Sequence, residues 1–196
     1  MLREQVYRSE QPSFTHTWLN ASSQTFSHDC MNSPSGNTAK REISRLGLSA
    51  AATDAIRQHV EGAYPEEACG GLLGREVGEG ELGILTALPL PNTQATERRC
   101  RYLIEAADVL SLERHAGALE LDVVGFYHSH PDAPAVPSDI DREHAWPRYV
   151  YLIVGVSRHA CASWRAWRLA EHRGAFDRIE VRSSDRTSNR AELCRP

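Results

Sequence analysis

Two histidines, His128 and His130, stand two positions apart at the end of the apolar run DVVGFYH. Alternate residues of an extended strand point to the same side, so both imidazoles can meet one ion. Ser138 and Asp141 follow downstream, three positions apart, a spacing that puts both on one face of a helix. Two imidazoles and one carboxylate are the three protein ligands of a catalytic zinc site, which keeps a fourth position for water. Such a site lowers the pKa of its water to about 7 and still needs a general base close by. Asp132 and Asp139 compete with Asp141 for the carboxylate place, and His144 competes with the imidazoles. The six other histidines, His16, His28, His59, His115, His159 and His172, read as surface or satisfied polar groups.

These side chains need elements to carry them. Ser49 can cap a helix whose apolar positions Ala52, Ile56 and Val60 repeat every four residues, and Pro65 ends it. CGGLLG at 69–74 reads as a buried strand, and 81–88 as the next, stopped by Pro89 and Pro91. A third short strand is expected at 102–104. A helix is expected at 106–120, with Val109, Leu110, Leu112 and Leu119 on its core face. The strand 122–128 leads into a proline-rich loop at 131–137. Ser138 then caps a short acidic helix at 139–145, and strands follow at 148–156, 160–168 and 176–182. Helices and strands mix without a regular alternation, so the expected class is α+β, or a three-layer α/β/α sandwich around a mixed central sheet.

Length and composition bound the rest. The 196 residues suit one domain with tails. Polar composition without periodicity makes 1–43 a disordered tail, places the domain at 44–183, and leaves 184–196 as a second polar tail. An upstream start codon misassigned before Met31 is the other account of the first segment. No apolar run approaches the ~20 residues of a membrane span, so no membrane partner is expected. A net charge of −4 argues against bulk nucleic-acid binding. Five scattered cysteines without a CxxC pair, and no secretory leader, point to a reducing compartment, the cytoplasm. A homodimer is left open. Cys69 reads as a small buried hydrophobe and the Arg98–Arg101 cluster as a solvated loop.

The stretch HSHPDAPAVPSDID combines an H-S-H, seven residues, then S, two residues, D. That spacing resembles the JAMM zinc metalloproteases, also called JAB or MPN+. The family carries a Glu three residues before a Gly in an upstream apolar strand, and PEEACGGLLG supplies it as Glu67 before Gly70. PLPNT at 89–93, RYLIEAADVL and PRYVYLIVGV are similar to the family's flanking segments, so the likeness spans about residues 44–170. It implies a cytidine-deaminase-like MPN fold. It also implies that His128, His130 and Asp141 bind Zn²⁺, that Glu67 orients and deprotonates the metal's water and passes the proton to the leaving amine, and that Ser138 helps stabilise the oxyanion. Glu66 is the solvated neighbour of that base, and Ser129 is read as supporting structure. The implied substrate is a ubiquitin-like sulfur-carrier protein, cleaved after its C-terminal Gly-Gly. A non-catalytic MPN-type scaffold would be expected to lack ligands that are present here. A RadC-like branch shares the metal spacing but reads H-N-H-P-S-G-D-P, against H-S-H-P-D-A-P-A in this chain.

Overall fold

The computed structural model of the protein describes residues 42–183. The tails expected at 1–43 and 184–196 lie, but for residues 42 and 43, outside the described residues, as do His16 and His28. The first element is a four-residue strand, β1 (Arg45–Leu48), which the sequence reading had not anticipated. Its Leu46 and Leu48 are buried while Arg45 and Gly47 are not, an alternation too short to register as a strand pattern.

Ser49 opens α1 (Ala50–Ala63), its side chain accepting the Ala52 N–H at 3.1 Å, which satisfies one of the helix's unpaired donors. Ala52, Ile56 and Val60 form the fully buried stripe expected from their spacing. After Pro65 come β2 (Cys69–Gly78), β3 (Glu81–Leu90), α2 (Ala106–Ala118), β4 (Asp122–Pro131), α3 (Asp139–His144), β5 (Val150–Ser157), β6 (Ala160–Leu169) and β7 (Phe176–Ser183).

The strands follow the order β1-β3-β2-β4-β5-β6-β7, and β7 pairs back onto β1. The β1–β3, β1–β7 and β4–β5 pairs are parallel and the others antiparallel, so the sheet is mixed and the class is α+β. The helices take opposite faces. Leu72 of β2 joins the cluster of Ile56 and Val60 from α1, while its neighbour Leu73 packs with Leu112 and Ala116 of α2, as side chains on successive strand residues must. Gly71 allows the α2 contact, because a Cβ there would collide with the Leu112 side chain. Among the described residues no helix is long and apolar enough to cross a membrane.

Three expectations need correction. Pro89 does not stop β3, which runs to Leu90 with Pro89 opposite Gly70. Along β3, β1 reaches only Glu81–Ile84, so no strand on that side calls for the missing Pro89 N–H. Residues 102–104 are not a strand. The backbone of Arg101 and Leu103 is tied to Asn92 and Thr93, not to a ladder. On α2 the buried positions are Leu112 and Ala116, whereas Leu110 and Leu119 are 55% and 47% exposed. At ~100° per residue, Leu110 points away from Leu112.

Candidate active site

β4 lies between β2 and β5, and its last residues carry the histidine pair. His128 sits opposite Cys69 on one side and Ile153 on the other, and His130 lies opposite Gly155. A Cβ at Gly155 would come within 2.7 Å of Ser163 Oγ and 3.2 Å of the Ala133 carbonyl oxygen. The missing side chain is what lets the proline-rich loop turn back over β5. Trp167 Nε1–H donates to the Ala135 carbonyl at 3.1 Å and fixes that loop from β6.

The loop delivers Ser138, whose hydroxyl accepts from the Asp141 N–H at 3.1 Å, while the Asp141 carboxylate accepts from the Ser138 N–H at 2.7 Å. This reciprocal capping box starts α3. The Ser138 hydroxyl also lies 2.6 Å from Asp141 Oδ2, to which it can donate. The cap therefore fixes the carboxylate on the side facing the strand end.

His128, His130 and Asp141 come together, their ligand atoms all within 4.8 Å of one another. The two Nε2 atoms are 3.1 Å apart. Asp141 Oδ1 is 3.3 Å from His128 Nε2, and Oδ2 is 3.8 Å from His130 Nε2. His130 Nδ1 lies 2.8 Å from the Pro134 carbonyl oxygen. That oxygen can only accept, so His130 donates from Nδ1, and Nε2 is the nitrogen that faces the cluster. Burial pushes the His128 pKa down, and the nearby His130 adds to this against the pull of Asp141. Burial alone would raise the Asp141 pKa, but His128 and the Ser138 hydrogen bonds outweigh it and hold the group ionised. Two imidazole nitrogens and an ionised carboxylate converging on one point fit a divalent cation, and the His₂Asp set fits Zn²⁺.

The competing groups are elsewhere. Asp132 accepts from the Tyr64 hydroxyl at 2.8 Å, Asp139 pairs with Arg142 at 2.9 Å, and His144 Nδ1 faces the Ile140 carbonyl at 3.0 Å. His59 Nδ1 is 2.8 Å from the Tyr127 hydroxyl.

Glu67 precedes β2 by two residues. It is 6% exposed, and its pKa is pushed up to about 8 by burial first and by the Asp141 carboxylate second. Glu66 is half-exposed and pairs with Arg98 at 3.2 Å. Gly70, three residues on, is a close approach: a Cβ there would strike the Tyr127 ring and the Leu88 carbonyl. Cys69 is buried, and burial pushes its thiol up to about 12, which keeps it neutral. Ser129, fully buried between the histidines, accepts the Ala68 N–H on its hydroxyl at 2.9 Å and donates its own N–H to the Ala68 carbonyl at 2.9 Å. This clamp joins the Glu67 segment to β4 beyond the end of the ladder.

Two residues at the site had no individual place in the sequence reading. The Tyr102 ring stacks on His128 with 4.6 Å between centroids. Asn92 donates to the Glu67 carbonyl at 3.0 Å. The segments PLPNT and RYLIEAADVL flagged the region, but no local spacing ties Asn92 to a residue 25 positions upstream.

A family model for prokaryotic homologs of the JAB domain matches residues 49–170. A desampylase from Haloferax volcanii is 42% identical over 115 residues, which cover 56% of this chain and 80% of that protein. A probable TtuB-protein conjugate cleaving protease from Thermus thermophilus is 36% identical over 102 residues, covering 50% of this chain and 62% of that protein. A solution structure of a protein from Salinibacter ruber matches with a TM-score of 0.56 at 35% identity, covering 76% of this chain and 98% of that one. On the extent of these matches, the chain belongs to the prokaryotic JAB-domain branch of the JAMM/MPN family.

Proposed function

We propose that the protein is a zinc-dependent peptidase or isopeptidase that cleaves the bond after the C-terminal Gly-Gly of a ubiquitin-like or sulfur-carrier protein. The observation that carries the reading is the convergence of His128, His130 and Asp141 within 4.8 Å, with the buried carboxyl of Glu67 under the influence of Asp141. The similarity to a desampylase and to a protease of TtuB-protein conjugates supports protein conjugates as the substrate class.

In this reading His128 Nε2, His130 Nε2 and the Asp141 carboxylate hold the ion. A bound Zn²⁺ supplies Lewis acidity that makes water nucleophilic at neutral pH. Glu67 takes the proton of the attacking water and gives it to the leaving amine nitrogen. A buried carboxyl with a raised pKa suits both halves of that transfer. Ser138 holds Asp141 through its hydroxyl, and a share in stabilising the oxyanion requires that hydroxyl to turn its single O–H from Asp141 to the substrate. The paired glycines of the substrate tail would let its backbone approach the centre closely. The same reading carries a three-layer, cytidine-deaminase-like arrangement, a domain at 44–183 and a cytoplasmic setting.

The test is incubation of zinc-loaded protein with a carrier protein extended past its Gly-Gly, followed by mass. Loss of the extension mass is expected with wild type and not with Glu67→Ala. No cleavage by wild type, or equal cleavage by the variant, overturns the reading.

A further inference from the structure

The two imidazoles of the cluster are supported differently. His130 has its Nδ1 against the Pro134 carbonyl, the kind of contact that fixes the tautomer and tilt of a ligating ring. Among the described residues His128 has none: its Nδ1 is buried without a hydrogen-bond partner there, and the side chain is 1% exposed. What meets the His128 ring is Tyr102, stacked with 27° between the ring planes. Such aromatic pairs attract beyond the area they bury and hold the two rings in a preferred orientation.

Tyr102 lies in neither strand nor helix, so its place must be set by other contacts. Asn92 Nδ2 donates to the Arg101 carbonyl at 3.1 Å, and Asn92 Oδ1 accepts the Leu103 N–H at 3.2 Å. One side-chain amide thus grips the backbone on both sides of Tyr102. The Thr93 N–H and hydroxyl each add a 3.0 Å bond to the Leu103 carbonyl. The same Asn92 Nδ2 donates to the Glu67 carbonyl.

We propose that Tyr102 and Asn92 are positioning residues of the metal centre: the Tyr102 ring sets the plane of His128, and Asn92 holds Tyr102 and the Glu67 backbone in one frame. The inference rests on reading His128, His130 and Asp141 as a metal site, and it requires nothing of the substrate. Loss of such outer contacts to a ligand lowers metal affinity by about 10- to 100-fold.

The experiment measures zinc affinity of the full chain by chelator competition and records the absorption spectrum of the Co²⁺-substituted protein. Tyr102→Leu is expected to weaken zinc binding at least about tenfold and to shift the Co²⁺ bands. Tyr102→Phe keeps the ring and is expected to match wild type on both readouts. Asn92→Asp keeps the acceptor but sets an oxygen against two carbonyls. It is expected to weaken zinc binding too, and to add little on top of Tyr102→Leu. If Asn92→Asp does not fold, the Tyr102 pair decides alone. Unchanged affinity and spectrum in Tyr102→Leu, equal losses in the Phe and Leu variants, or full additivity with Asn92→Asp overturns the proposal. Wild type that takes up no zinc overturns the metal reading itself, whereas wild type that binds zinc beside indifferent variants overturns only this inference.

Discussion

The segment that carries the histidines and the segment that carries Glu67 lie side by side, yet they are built by different means. From Gly125 to Pro131, β4 pairs with Val150–Val156 of β5 in unbroken register, and the carboxylate of Asp141 is fixed by a cap three residues away. Glu67 lies outside any strand. Its N–H reaches the Arg98 carbonyl at 2.7 Å and its carbonyl accepts from Asn92. The proposed ligands take their places from a ladder and a local cap, and the proposed base takes its place from a distant loop. The position of the proposed base should therefore yield to single side-chain substitutions in that loop, whereas the backbone that carries the proposed ligands should resist them, the Tyr102 contact to the His128 ring being the exception.

The sharpest break of that contrast is removal of a ligand. His128→Ala is expected to abolish stoichiometric zinc and with it all turnover, because two remaining ligands do not make a site; metal analysis of purified protein checks this. Glu67→Gln should separate the two regions, with zinc retained at one per chain and kcat lowered by about 10²–10⁴, read by metal analysis beside steady-state kinetics. Loss of zinc in Glu67→Gln would show that the base also holds the ligands. Ser129→Ala probes the joint between the regions. It leaves the buried Ala68 N–H without its acceptor, at a cost of about 1–3 kcal/mol in urea unfolding, and turnover should fall more than zinc affinity. The smallest effect is expected from Glu66→Gln, which removes a half-exposed ion pair with Arg98. Stability should change by no more than about 1 kcal/mol and turnover should stay near wild type.

The same contrast explains what could be read in the chain before its fold was seen. The proposed ligand set lies within fourteen residues, and both its spacings, two along a strand and three across a helix start, are local periodicities. α1 was equally legible, from the Ser49 cap and the repeat of Ala52, Ile56 and Val60. Asn92 and Tyr102 were not, since their partners are set by tertiary approach and no period links them to Glu67 or His128. Pro89 misled because a proline stops a strand only where its missing N–H is needed, and that side of β3 has no strand there. Leu110 and Leu119 misled because apolar type does not fix which face of α2 meets the sheet.

The pairing of β1 with β7 has a consequence for the ends of the domain. Arg45 lies beside Glu180 and Leu48 beside Ser183, so the first and last strands are immediate neighbours although some 130 positions separate them along the chain. Contacts this distant along a chain form at a high loop-closure cost and slow folding. Removing β7 would strip one edge from β1 and another from β6 together, leaving two open strand edges where aggregation begins. Because the pair is parallel, β7 ends beside the far end of β1, so a circular permutation that joins the two would need a crossover connection of about a dozen residues or more, not a tight turn.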